Sequence, residues 1–313
     1  MHPRGSQVCV LLASLALSCG GSDNSPRSTA TPSATAPNSV ESLFSLTEGG
    51  RLLVLCGPDN TSTDIYEVTR AGLLRQTESP SGEPVYSFSA AGNRIAFVYP
   101  DQSAQPTVAV RDLDDRDKAA RGTLVGYGDI AAISTDGTVA WTQRTSRRGK
   151  LVTQVRIKRE GQPAVRATTY PEIWDLSYST GRLDAQVASA SGKRFKWIRA
   201  ADRPWPAGRS QKLAMHVPGR IVSSVNGKLA YETARDPNNT LYISDEQGRT
   251  TRKTRSAWSP YAWSPDERQL LVARNNPKAP LGLMDVATGA VRSIGPLPCG
   301  WVASAQWLKQ APR

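Results

Sequence analysis

Short apolar runs separated by polar turns repeat from residue 41 to the end of the chain. In each repeat a strand-like run ends near a serine, a polar turn follows, and a second apolar run begins. The instances are Leu43-Phe44-Ser45 leading to Gly50 and RLLVLC, VYSFSAAGNRIAFVY (85–99), IAAISTDGTVAWTQ (130–143), IWDLSYSTGRLDAQV (173–187), IVSSVNGKLAYET (221–233) and YAWSPDERQLLVAR (261–274). The turn anchors Gly50, Gly92, Gly137, Gly181, Gly227 and Glu267 lie 42, 45, 44, 46 and 40 residues apart. An alternating run follows each pair: DIYEV (64–68), TVAVRDL (107–113), TQVRIKR (153–159), RFKWIRA (194–200), TLYISD (240–245) and LGLMDV (281–286). Alternation with period two marks half-buried strands. Turns such as Glu246-Gln247-Gly248 and Ala287-Thr288-Gly289 precede a fourth run, for example TTRKTR (250–255) or AVRSIG (290–295).

A period of roughly 40–45 residues with several strands per unit marks the blades of a β-propeller. Six units predict an all-β chain, a six-bladed propeller with four antiparallel strands per blade. A seventh run, VASAQW (302–307), repeats the innermost-strand pattern after the sixth unit. It is expected to close the ring by pairing in the blade that contains Val40–Leu46. The turns Ser134-Thr135-Asp136-Gly137 and Ser264-Pro265-Asp266-Glu267 fit this reading, because Asp can accept a backbone N–H two residues on and Gly accepts positive φ. They resemble the Ser-Pro-Asp-Gly turn of the WD40-like repeats in TolB-type propellers. The resemblance covers residues 41–307, with two well-matched units and more divergent others. It implies protein–protein recognition at a propeller face. It does not extend to the α/β domain that precedes the propeller in TolB, where this chain has only a polar tether.

The N-terminus reads differently. Arg4 precedes an apolar run, Val8–Leu17, that is too short for a bilayer span of about twenty residues. A basic start, a short apolar stretch and then small residues describe a secretory signal. The run ends Leu15-Ala16-Leu17-Ser18-Cys19-Gly20 and resembles a bacterial lipobox, with Ala16 where Leu is more usual. The resemblance implies cleavage before Cys19 and diacylglyceryl lipidation of that cysteine, hence stable anchoring in the cell membrane or the outer membrane. The following segment, GGSDNSPRSTATPSATAPN, has no large apolar side chain and cannot offset its ordering entropy. It is expected to be a tether spanning roughly 25 Å. The expected organisation is a signal peptide (1–18), a tether (19–39), a propeller (40–308) and a tail (309–313).

Two cysteines then remain in the folded part. Cys56 ends the second strand of blade one, and Cys299 lies just before the closing strand. The loop after a second strand and the inter-blade loop share a face, and blades one and six are ring neighbours. A Cys56–Cys299 disulfide would therefore staple the seam in an oxidising compartment. Two buried thiols are the alternative, and a Cα separation above ~7 Å would require it.

Charge changes the picture in one place. The chain has a net charge of +12, and residues 130–220 hold 17 Lys and Arg against 6 Asp and Glu. Arg147, Arg148, Lys150, Arg156 and Lys158 form one basic cluster, and Lys193, Arg194 and Lys196 another. Such a field favours anionic envelope polymers or lipid headgroups. Nucleic acid is not expected outside the cytoplasm. Aromatic residues gather where inter-blade loops enter inner strands: Tyr86, Tyr127, Tyr170, Trp174, Trp258, Tyr261 and Trp301. They are candidates for a binding face towards an envelope protein or peptide.

Catalytic signatures are few. The chain has no CxxC, HExxH or phosphate loop, and its two histidines are His2 and the strand-like His216. The run Asp112, Asp114, Asp115, Asp117 has oxygen ligands but no calcium-loop spacing. Glu172 and Asp175 flank the blade-four inner strand, and a carboxylate pair there would suit a glycan-active hydrolase or lyase. The expectation is a monomeric, non-catalytic binding or scaffolding propeller without metal or cofactor.

Overall fold

The computed structural model describes residues 39–309, apart from 48–49, 60, 79–82, 102, 116–121, 180–181, 189–194, 202–210, 216–217, 234–239, 256–257 and 275–279. The expected signal peptide (1–18), Cys19, the expected tether up to residue 38, Asp117, Gly181, Lys193, Arg194, His216 and residues 310–313 therefore lie outside the described residues. The described chain starts with a helix, α1 (Ser39–Leu46), where the repeat pattern predicts an extended run. Val40, Leu43 and Phe44 are spaced i, i+3, i+4, which makes one apolar stripe on a helix. Val40 and Leu43 are 2% and 0% exposed. The hydroxyl and the N–H of Thr47 both donate to the Phe44 carbonyl, at 2.7 and 3.0 Å, and close the last turn.

Twenty-four strands follow. Blade one starts with β1 (Gly50–Gly57), β2 (Asp64–Thr69) and β3 (Gly72–Arg75). Blade two holds β4 (Ser87–Ala91), β5 (Arg94–Pro100), β6 (Pro106–Asp112) and β7 (Thr123–Tyr127). Blade three holds β8 (Ala131–Ile133), β9 (Val139–Arg147), β10 (Lys150–Lys158) and β11 (Val165–Tyr170). Blade four holds β12 (Glu172–Ser179), β13 (Arg182–Ala188), β14 (Phe195–Ala201) and β15 (Gln211–Met215). Blade five holds β16 (Pro218–Ser223), β17 (Leu229–Thr233), β18 (Thr240–Ser244) and β19 (Thr250–Arg255). Blade six holds β20 (Trp258–Trp263), β21 (Gln269–Arg274), β22 (Leu281–Asp285) and β23 (Val291–Gly295). The last strand, β24 (Trp301–Lys309), returns to blade one, whose order is β24-β1-β2-β3. The inner strand of blade one is thus the C-terminal segment alone, and residues 40–46 pack outside the sheet as α1.

Each blade lies between two others, so its middle strands are apolar on both faces. In β1 the consecutive residues Leu52 to Leu55 are all 1% exposed or less. Leu52 and Val54 join a core with Tyr261, Leu271 and Leu281 of blade six. Leu53 and Leu55 join another with Phe88, Ile95 and Phe97 of blade two. Further shared cores tie blade two to three, three to four, four to five and five to six. Inner strands are also stitched directly to each other. Ala90 N–H donates to Gln306 Oε1 at 3.2 Å, Ile133 N–H to Ser89 Oγ at 3.2 Å, and Ser223 Oγ–H to Ser177 Oγ at 2.9 Å.

The turns that set the period behave as their chemistry requires. Asp136 Oδ1 accepts from Thr138 N–H at 2.9 Å, and Gly137 has φ 83°. Glu267 occupies the equivalent position in blade six with φ 59°, a left-handed conformation that is costly for a residue with a Cβ. Its carboxylate reaches into the blade-five turn, where it accepts from Asn226 N–H at 3.1 Å and pairs with Lys228 Nζ at 2.9 Å. Burial would raise the pKa of Glu267, but these donors together with Ser224 outweigh it and hold the group below its ordinary value.

Cys56 at the end of β1 and Cys299 ahead of β24 form a disulfide with a Cα separation of 5.8 Å across 243 residues of chain. Its effect is to cross-link the unfolded chain over a long loop. Two outcomes follow. Cys56→Ser with Cys299→Ser should lower unfolding stability by about 2–4 kcal/mol in denaturant titrations, as should reduction of the native protein. Glu267→Gly should be less destabilising than Glu267→Ala by about 1 kcal/mol, since both lose the cross-blade carboxylate and only Gly escapes the backbone cost. Equal melting of the two variants would contradict the second.

Candidate functional site

Strand direction decides which groups share a face. An inner strand runs away from the inter-blade connection, and the second strand runs back towards it. The inter-blade connections therefore share a face with the turns between second and third strands. The Cys56–Cys299 bond, the β9–β10 turn and the strand ends that carry the predicted aromatics all lie there.

Three of the seven predicted aromatics are open to solvent on this face: Tyr86 is 53% exposed, Trp174 51% and Tyr127 40%. Tyr170 packs against the core of blades three and four, and burial raises the pKa of its hydroxyl. Trp258 packs against the core shared by blades five and six, with the Arg274 guanidinium 5.2 Å from its ring centroid. Trp301 is half-buried opposite Gly57. Tyr261 is 8% exposed and belongs to the seam core.

The β9–β10 hairpin is the longest in the structure, with nine residues in each strand. Arg148 (φ 52°) and Gly149 (φ 73°) close it in a two-residue turn with Arg147 paired to Lys150. Positive φ at both central positions matches the right-handed twist of the flanking strands, so the arm is stiff. Between Val139 and Lys158 it carries six cations and no acid. Arg147, Arg148 and Lys150 are exposed at the tip, beside Leu151 at 68%. Arg156 and Lys158 sit lower and half-buried, and Arg156 Nη2 donates to the Ala164 carbonyl at 3.4 Å. Lys196 is on β14 in the next blade. Lys196, the described member of the second basic cluster, thus belongs to a different sheet from the hairpin.

The central channel encloses a cavity of about 380 Å³ lined by all six inner strands. Its wall includes the serines Ser87, Ser89, Ser177, Ser223 and Ser304 beside larger residues such as Tyr178, Trp263 and Trp307. Inner strands of four blades are irregular at matching places. The pairing skips Trp174 in β12, Gly219 and Arg220 in β16, Tyr261 in β20 and Ala303 in β24. Such bulges re-aim side chains. Here they bring Arg220 across to its neighbours: Nη1 donates to the Ala303 carbonyl, and the guanidinium lies 4.0 Å from the Tyr261 ring centroid.

Asp175 is the one carboxylate on the cavity wall among the described residues; Arg220 and Lys309 are the cations. Burial raises the Asp175 pKa to about 7, against the Leu176 N–H that donates to Oδ1 at 2.9 Å and the charge of Arg220. Glu172 does not line the cavity, so the structure does not bring the predicted carboxylate pair together there. Asp112 pairs with Arg94 of the adjacent strand at 2.9 Å and Asp114 with Arg51 of blade one at 3.1 Å, so these two members of the acidic run are in ion pairs. Arg220 was not legible as a site residue. Its signal is a lone arginine at the head of an inner strand otherwise made of small and apolar residues.

This geometry defines a closed, six-bladed β-propeller with a TolB-like fold. No protein-family model and no curated protein matches the sequence. Among solved structures it is similar to TolB from Acinetobacter baumannii at 18% identity and a TM-score of 0.60. That match covers 82% of this chain and 66% of the TolB chain, just under two thirds. A chain in the crystal structure of a nidogen/laminin complex matches at 10% identity and TM-score 0.59, covering 84% of this chain and all of that one. The β-propeller domain of a Pyrococcus furiosus trilobed protease, described as having an open velcro topology, matches at 12% and 0.50 over 68% and 71%. Likeness at such identities shows the fold.

The Asp175 environment has a measurable consequence. Its raised folded pKa means that ionisation opposes folding: the penalty is absent below the ordinary value of 3.8 and complete above about 7. Asp175→Asn should therefore stabilise the protein by about 2 kcal/mol near pH 8 and by little near pH 3.5. This is about half of what the full shift is worth, allowing for water in the cavity. Melting curves of both proteins across that range check it; a constant difference would contradict it.

Proposed function

We propose that the chain is a cell-envelope lipoprotein, anchored through Cys19, whose propeller is a non-catalytic protein-binding module. The observation that carries this reading is the single face bearing exposed Tyr86, Tyr127 and Trp174 together with the stiff basic hairpin. Large aromatic side chains with one polar edge are the residue types that dominate binding energies. The basic tip supplies steering towards an acidic partner surface or the anionic headgroups of the envelope. The disulfide supports an oxidising compartment. The TolB-like fold and the occurrence of a similar chain in a protein–protein complex support recognition by a propeller. A glycan-active reading needs two carboxylates at the reacting bond, and the cavity wall supplies Asp175 alone among the described residues.

The test is crosslinking and pull-down from intact envelopes. The triple variant Tyr86→Ala, Tyr127→Ala, Trp174→Ala should melt like the native protein, because these side chains are exposed, and should lose the captured partner. Replacement of Arg147, Arg148 and Lys150 by Glu should slow capture and reduce its salt dependence. Cys19→Ala should release the protein from the membrane fraction. Capture that survives the aromatic triple would overturn the binding face, and membrane retention of the cysteine variant would overturn the anchor.

A further inference from the structure

Of the three charged residues on the cavity wall, Lys309 is exposed at the end of β24, whereas Asp175 and Arg220 lie near the other end of their inner strands. Asp175 on β12 and Arg220 on β16 belong to neighbouring inner strands and line the same space. Arg220 acts electrostatically on Asp175, yet the two form no ion pair. Asp175 Oδ1 is used by the Leu176 N–H, and Oδ2 has no hydrogen-bond partner among the described residues. The guanidinium is held in place from behind by the Ala303 carbonyl and the Tyr261 ring, which fixes its plane and leaves other N–H groups to donate. Ser87 adds a buried hydroxyl without a partner on the same wall.

The choice of ligand follows from the pair. An anion alone would gain from Arg220 and be repelled by Asp175, and a cation alone meets the reverse. A molecule carrying both charges gains from both, provided that it fits between them. Removing such groups from water is offset only when each charge finds its partner. The cavity, about 380 Å³, lies within the range of small-ligand pockets. The serine hydroxyls around it provide donors and acceptors of either polarity. We propose that the channel binds a small zwitterion, a free amino acid or a short peptide with both termini free, its ammonium on Asp175 and its carboxylate on Arg220. This site is separate from the outer face assigned to protein recognition, so either proposal stands if the other fails.

The test is isothermal titration of the full-length protein with free L-amino acids and with dipeptides, each compared with its N-acetylated and C-amidated forms. At least one free zwitterion should bind, and blocking either terminus should weaken it by about tenfold or more. Whether amino acids or dipeptides bind decides between the two sources. Asp175→Asn, a variant expected to stay folded, should weaken the free form by at least about tenfold and leave the N-acetylated form unchanged. Arg220→Lys keeps the charge but loses the planar fork, and should weaken carboxylate-bearing forms relative to their amides. No binding of any free form up to ~10 mM, equal binding of free and blocked forms, or unchanged binding by Asp175→Asn would each overturn the proposal.

Discussion

Everything in this molecule depends on a ring being closed by its own last strand. A four-stranded blade with two apolar faces cannot bury both unless it has a neighbour on each side, and a row of six leaves two such faces bare. Pairing of β24 with β1 removes the gap: Leu52 and Val54 then meet blade six, while Leu53 and Leu55 meet blade two. The disulfide and α1 add to the same seam. Cys56 is at the end of β1, Cys299 leads into β24, and Val40 and Leu43 fill the seam core. A covalent and an apolar reinforcement thus sit where the ring would otherwise open.

Closure also builds the channel. Six inner strands converge on one axis, and serines and alanines such as Ser89, Ser177, Ser304 and Ala305 share the wall there with larger side chains. Two of the larger groups on the wall, Arg220 and Tyr261, enter at bulges, where a strand departs from regular pairing. They pack against one another and against Ala303 across blades five, six and one. A channel carrying Asp175 and Arg220 and an outer face with exposed aromatics then give the molecule two chemically different surfaces.

The architecture was legible because its spacing is set by turn chemistry. Gly92, Gly137 and Gly227 all adopt positive φ and mark the same corner in blades two, three and five, and Glu267 takes that conformation in blade six. The closing strand was legible because it repeats the inner-strand pattern. The helix was not: an eight-residue stretch is too short to show a period, and Val40, Leu43 and Phe44 suit either element until packing chooses. The exposed aromatics could not be told from the packing ones, since Trp174 and Trp258 occupy similar places and differ in what lies beside them, including residues of their own blade. Gly282 leaves room for the Trp258 ring, and no local pattern announces that. Arg220 was illegible for a similar reason, because its position in the channel comes from a bulge.

Hydrogen exchange on the native protein tests the closed ring most directly. If β24 and β1 hold the six blades together, the amides of Leu52–Cys56 and Val302–Leu308 exchange only through global unfolding, at the rate of the slowest amides in blades two to five. Exchange of β24 by local opening, while those blades stay protected, would show that the other five stand without it and would contradict the account.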